Sequence, residues 1–108
     1  SNGYGIGWTN AGEWLNYTVD VAKSGTYDIK IPVASQNQGG LFHLEIGGKD
    51  LTGPIRVPDT GGWKKMKKIT HEGLKLEKGI HVLKFVMDEN GESGFVGDID
   101  CLIFSLSD

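Results

Sequence analysis

Glu13-Trp14-Leu15-Asn16-Tyr17-Thr18-Val19-Asp20-Val21 leads, through Lys23-Ser24-Gly25, into Thr26-Tyr27-Asp28-Ile29-Lys30-Ile31-Pro32-Val33-Ala34. Apolar side chains recur at every second position in both runs. In the first, Leu15, Tyr17, Val19 and Val21 oppose Asn16, Thr18 and Asp20. In the second, Tyr27, Ile29, Ile31 and Val33 oppose Asp28 and Lys30. An extended chain places successive side chains on opposite faces, so a period of two means a strand with one buried face. Lys23-Ser24-Gly25 supplies the turn between them.

Working outward, the same pattern repeats. Leu41 to Ile46 forms a third run closed by Gly47-Gly48, and Ile55 to Val57 is a short run between Pro54 and Pro58. Proline has no N–H to give a ladder, so that run suits a sheet edge. Trp63 to Thr70 alternates weakly, and Leu74-Lys75-Leu76 stops at the Glu77-Lys78-Gly79 turn. Ile80 to Met87 follows, with Ile80 and Val82 expected inward and then Phe85 or Val86. Ile99 to Phe104 reads as a last strand buried on both sides. No window of eleven or more residues carries a helical stripe. Strand-plus-turn units of about 8–12 residues are the signature of a sandwich or barrel. Without linker, low-complexity tract or internal repeat, residues 1–108 read as a single all-β domain.

Composition agrees. Glycine supplies 17 of 108 residues with no G-X-Y period, about twice the usual share, which points to many tight turns and away from collagen. A net charge of −3 argues against nucleic acid as a partner, because phosphate binding needs a positive surplus. One cysteine, Cys101, excludes an internal disulfide framework and an all-cysteine metal cage. The longest apolar stretch is Cys101-Leu102-Ile103-Phe104, far short of a membrane span. No basic-then-apolar leader opens the chain, which therefore reads as a mature segment or excised module.

Few residues suggest catalysis. His43, His71 and His81 fall in predicted strands without metal-ligand spacing and are expected to face solvent. Counted from Asp88, a calcium loop of the EF-hand type would need glycine sixth and glutamate twelfth, where this chain has Ser93 and Ile99. Asp88-Glu89-Asn90-Gly91-Glu92 is instead expected to be a polar hairpin turning at Asn90-Gly91. Lys64-Lys65-Met66-Lys67-Lys68 is a basic cluster that alternation would divide between two faces, as on a solvated edge.

The tryptophans say more. Trp8 sits in Gly5-Ile6-Gly7-Trp8, and Trp63 follows Thr60-Gly61-Gly62, both where a turn meets a strand. Trp14, inside a predicted strand, is expected to pack over the core rim. Flat indoles beside Thr9, Asn10 and Glu13 suit a sugar ring, whose C–H face stacks on an aromatic while its hydroxyls bond at the edge.

Gly7-Trp8-Thr9-Asn10-Ala11-Gly12-Glu13-Trp14-Leu15-Asn16-Tyr17 resembles the G-aromatic-x-x-x-G-acid-W-x-x-Y segment of family 6 carbohydrate-binding modules. Gly25-Thr26-Tyr27, Val33-Ala34-Ser35, Val57-Pro58-Asp59-Thr60-Gly61-Gly62-Trp63, Leu76-Glu77-Lys78-Gly79-Ile80-His81 and Asp98-Ile99-Asp100 extend the likeness over nearly the whole chain. The resemblance implies a β-sandwich (jelly roll) of two antiparallel sheets. It implies a non-catalytic, secreted, extracellular module that holds the glycoside hydrolase of its own polypeptide against a polysaccharide such as β-1,3-glucan, agarose or xylan, with no membrane partner. Carried over by motif, the facing aromatics are Trp8 and Trp63, and the polar contact is Asp98 where the family often has asparagine. Thr9, Asn10 and Glu13 are further wall candidates. Some members carry a second site on the concave sheet face, whose residues the sequence does not identify.

The family usually opens with a glutamate-containing strand that helps hold a structural calcium. This chain begins after it, so Asp100 matches a calcium ligand whose partners are missing. Two other readings stay open beside the module: a small glycoside hydrolase using Glu13, and a structural β-sandwich that joins domains or protomers.

Overall fold

A computed structural model describes residues 7–100 and 102–106, with residues 7–9 described by their backbone. Ten strands form two five-stranded sheets, and no helix occurs among the described residues. The strands are β1 Gly7–Thr9, β2 Trp14–Val21, β3 Gly25–Ser35, β4 Leu41–Ile46, β5 Lys49–Asp50, β6 Ile55–Arg56, β7 Gly62–Leu76, β8 Gly79–Glu89, β9 Gly97–Ile99 and β10 Ile103–Leu106. One sheet runs β1-β9-β3-β10 with β7 on the other side of β3; its partner runs β2-β8-β4-β5 with β6 beside β4. All the pairings are antiparallel. From β2 to β4, and again from β7 to β9, consecutive strands alternate between sheets. The chain therefore crosses the sandwich at each end, and the expected two-sheet architecture is what forms.

The inward residues of β3, β4 and β8 make the core: Ile29, Ile31 and Val33 face Phe42, Leu44, Leu83, Phe85 and Met87, all essentially inaccessible. Phe42 and Phe85 stack with ring centroids 4.7 Å apart. Burying side chains of this kind contributes about 1.5–3 kcal/mol each, which is why the alternation decides the fold. The hairpin at Gly47-Gly48 has positive φ at both positions, +60° and +78°. That is the mirror-type turn whose twist suits a two-residue hairpin, and only glycine adopts it twice without strain.

Several expectations are corrected. Trp63–Thr70 and Leu74–Leu76 are one fifteen-residue strand, β7. An irregularity opposite Asp28, whose carboxylate accepts the Gly73 N–H at 3.3 Å, hides its continuity from simple alternation. Ile80 and Val82, expected inward, point out and are 72% and 52% exposed. Pairing of Leu83 with Tyr17 and Ile46, and of Phe85 with Leu15 and Leu44, fixes the opposite phase. Leu15 is 37% exposed despite facing inward, because β2 is a sheet edge that the other layer roofs only in part. The run from Ile99 to Phe104 is broken into β9 and β10, both alongside β3, with the Asp100 N–H bonded to the Pro32 carbonyl between them. Phe104 there is only half-buried, while Cys101 lies outside the described residues.

Candidate functional site

Four connections meet at one end of the sandwich: 10–13, 36–40, 57–61 and 90–96. Each crosses between layers or follows an edge strand, and each is braced by backbone groups that would otherwise be unpaired. The Ala11 N–H donates to the Asn90 side-chain oxygen at 2.8 Å, and the Gly12 N–H to the Met87 carbonyl at 3.0 Å. Asn90 therefore ties two connections together. The segment it begins is a crossover between sheets, not the two-residue hairpin expected from Asn90-Gly91, because the next strand, β9, belongs to the other layer. Gly39 and Gly40 are threaded between the 57 and 96 backbones: Gly39 N–H to Val57 carbonyl at 2.8 Å, Gly40 N–H to Val96 carbonyl at 2.8 Å. Thr60 is buried and receives the Ser35 N–H at 3.0 Å on its hydroxyl. Ser93 donates to the Gln36 carbonyl at 2.5 Å. These loops are short and bonded on both sides, so they form a rigid rim.

Trp63 is the second residue of β7, half-buried, and meets the Phe95 ring edge-on at 6.2 Å and 88°. Such a T-shaped contact holds the indole plane without covering both of its faces. Asp98 is the middle residue of β9 and half-buried. Burial, and secondarily the charge of Asp100, holds its carboxyl above the ordinary aspartate range. Trp8 pairs with Asp98 across β1 and β9, and Thr9 with Gly97. The side chains of Trp8 and Thr9 lie outside the described residues. Asp98 pairs in turn with Ala34, and Ser35 with Gly62. Trp8, Asp98, the end of β3 and Trp63 thus occupy four adjacent strands. At about 4.8 Å per strand, the β1 and β7 backbones stand roughly 14 Å apart.

Asn10 and Glu13 lie on the neighbouring turn. The Glu13 carboxylate accepts the Asn10 N–H at 2.5 Å, and the Glu13 N–H donates back to the Asn10 carbonyl at 3.2 Å, so Glu13 closes its own turn. Among the described residues no group of three His, Cys, Asp or Glu side chains could hold a metal ion. Asp100, matched to a calcium ligand by the family resemblance, lies exposed between β9 and β10.

Trp14 departs from expectation. It does not pack over the core rim; it is 55% exposed on the outer face of the β2-β8-β4 sheet, with the Lys84 ammonium 4.8 Å from the ring centroid. Register puts Trp14, Val86 and His43 in one row of this face, and Asn16, Lys84 and Glu45 in the next. His43 is half-buried rather than solvent-facing, bonded to Asp88 at 2.6 Å and Glu45 at 2.5 Å. Its partial burial opposes the charged ring, but the two carboxylates prevail and raise its pKa. The signal for Trp14 was in the sequence: alternation already groups it with Asn16, Thr18 and Asp20, away from Leu15.

An exposed indole face on a sheet, together with an indole and a carboxylate on strands that leave a braced loop rim, is the form of a sugar-binding β-sandwich. The chain matches the carbohydrate binding module (family 6) across residues 1–106 and belongs to that family of non-catalytic modules. It is 38% identical over 76 residues to the clotting factor G alpha subunit of Tachypleus tridentatus, covering 68% of this chain and 11% of that protein. It is 30% identical over 70 residues to the beta-agarase AgaA of Microbulbifer thermotolerans, covering 64% of this chain and 16% of that enzyme. The chain thus spans a small part of both curated relatives. Among solved structures, a module of Cellvibrio mixtus lichenase 5A in complex with cellotriose superposes with a TM-score of 0.77 at 31% identity, over 94% of this chain and 76% of that one. A β-1,3-glucan-binding module from Bacillus halodurans gives 0.74 at 26% identity, over 91% and 73%.

Proposed function

We propose that the loop end grips one pyranose of a β-glucan chain, with Trp63 and Trp8 stacking on its two faces and Asp98 accepting its hydroxyls. Thr9, Asn10 and Glu13 complete the wall. The single observation that carries this reading is the placement of Trp63 and Asp98 on either side of β3, with the Trp8 backbone next to Asp98. Backbones about 14 Å apart leave room for two inward-leaning rings and a sugar between them. β-1,3-Glucan is favoured because structural relatives include a β-1,3-glucan-binding module and a laminarinase module; agarose and xylan follow. In this reading the module is secreted and holds an appended glycoside hydrolase on its insoluble substrate.

Stacking plus a few hydrogen bonds, set against the loss of well-hydrated surface, gives an affinity of about 10 μM to 1 mM per site. Calorimetry on laminarin, agarose and xylan tests it: the wild type binds laminarin, and Trp63→Ala or Trp8→Ala weakens binding about thirtyfold while circular dichroism is unchanged. Binding retained by both variants overturns the proposed clamp. A reducing-end assay on the same glycans separates binding from hydrolysis, since sugar release lost in Glu13→Gln would mark an enzyme. Absence of binding across a broad glycan array would instead favour a purely structural sandwich.

The exposure of Trp14 favours a second, weaker sugar surface on the outer face of the β2-β8-β4 sheet. Residual binding in Trp63→Ala that disappears on adding Trp14→Ala would support it. Identical residual binding in both would remove it.

A further inference from the structure

Lys64, Lys65, Lys67 and Lys68 follow Trp63 directly, and all four are exposed. None forms an ion pair among the described residues, although the chain carries a net charge of −3. Lysines on an edge strand guard it against pairing with another sheet, and β7 is such an edge. That role needs side chains projecting from the edge, and two of these do something else. Lys65 and Lys67, on one face of the strand, fold back over the turn at 59–61. The Lys65 amino group lies 3.9 Å from where a Cβ on Gly61 would sit. The Lys67 amino group reaches the Asp59 carbonyl at 3.5 Å. The Asp59 carboxylate is itself turned onto the Gly61 N–H at 2.8 Å and pairs with neither lysine.

Two ammonium groups are therefore gathered at the rim, on the turn that leads into Trp63. We propose that Lys65 and Lys67 form an anion subsite that selects glycans bearing a sulfate ester or a uronate carboxylate next to the stacked ring. Each ammonium offers three donors as a compact point charge, which matches an oxyanion and has no comparable affinity for a neutral hydroxyl. Asp98, two strands away, disfavours an anion on its own side, so the substituent is accepted on the Lys65–Lys67 flank alone. The inference rests on the loop-end sugar site proposed above and names the substituent that site prefers.

Matched glycans test it: laminarin against sulfated laminarin, agarose against sulfated agarose, and unsubstituted xylan against glucuronoxylan, at about 20 mM and about 500 mM NaCl. The wild type binds an anionic partner roughly five- to tenfold tighter at low salt, and the gap closes at high salt. Lys65→Gln/Lys67→Gln removes the preference and leaves neutral-glycan affinity intact. Lys75→Gln/Lys78→Gln, with the same charge change at the opposite end of the sandwich, keeps it. The sulfate and uronate arms identify which oxyanion is read. Neutral binding without any charge preference, or a preference lost equally in both double variants, overturns the anion subsite alone. A wild type that binds none of the glycans overturns the loop-end reading beneath it.

Discussion

The rim around Trp63 and the outer face around Trp14 both offer an indole, but they are built by different means. Trp63 opens β7 directly after the 57–61 turn, which is held by bonds between Thr60 and Ser35 at the end of β3 and between Val57 and Gly39. Trp14 stands on a pleated surface whose shape follows from strand pairing alone. A braced rim is preorganised but intolerant of change; a sheet face tolerates almost any side chain. The contrast separates residues that bind from residues that hold the binding residues in place.

Substituting Gly40 with alanine gives the largest effect expected. A Cβ there would fall 1.8 Å from the Glu89 carbonyl oxygen, where backbone must shift rather than a side chain. A loss of about 3 kcal/mol or more in urea unfolding is expected, together with weakened glycan binding. If Gly40→Ala is as stable as the wild type, the rim is not rigid. Trp63→Ala comes next, costing about 2 kcal/mol of glycan affinity and leaving stability within about 1 kcal/mol. Calorimetry paired with unfolding curves measures both.

Trp14→Ala should change stability by no more than about 0.5 kcal/mol and leave rim binding unaltered. A larger loss would mean that Trp14 and Lys84 support the sheet. The smallest effect concerns His43. Its folded pKa is raised, so its ion pairs with Asp88 and Glu45 contribute fully below the unfolded value near 6.5 and fade as pH climbs through the higher folded value. The stability gap between wild type and His43→Gln should therefore narrow as pH rises above about 6.5. A gap that is constant or widens contradicts the ion-pair geometry.

The sequence was most legible where packing and periodicity coincide. Ile29, Ile31 and Val33 alternate without a break and are buried as read. It misled where a strand carries apolar residues on both faces: Ile80, Val82, Phe85 and Val86 permit two phases, and only pairing with β2 and β4 chooses one. Trp14, read as packing over the core rim because it lies inside a strand, is exposed on the face where alternation already placed it. Asp98 and Trp63 were legible as a pair only through their likeness to a family motif, since 35 positions separate them.

Local chemistry, written in the chain itself, determined that this protein is an all-β domain of short strands: period-two burial and glycine turns act over a few residues and need no long-range information. What lies across β3 from Trp63, which face of β8 turns inward, and where the Lys65 and Lys67 amino groups settle were decided by tertiary structure. Those outcomes depend on register between strands far apart in sequence and on loops bonded to one another, and no short-range pattern encodes either.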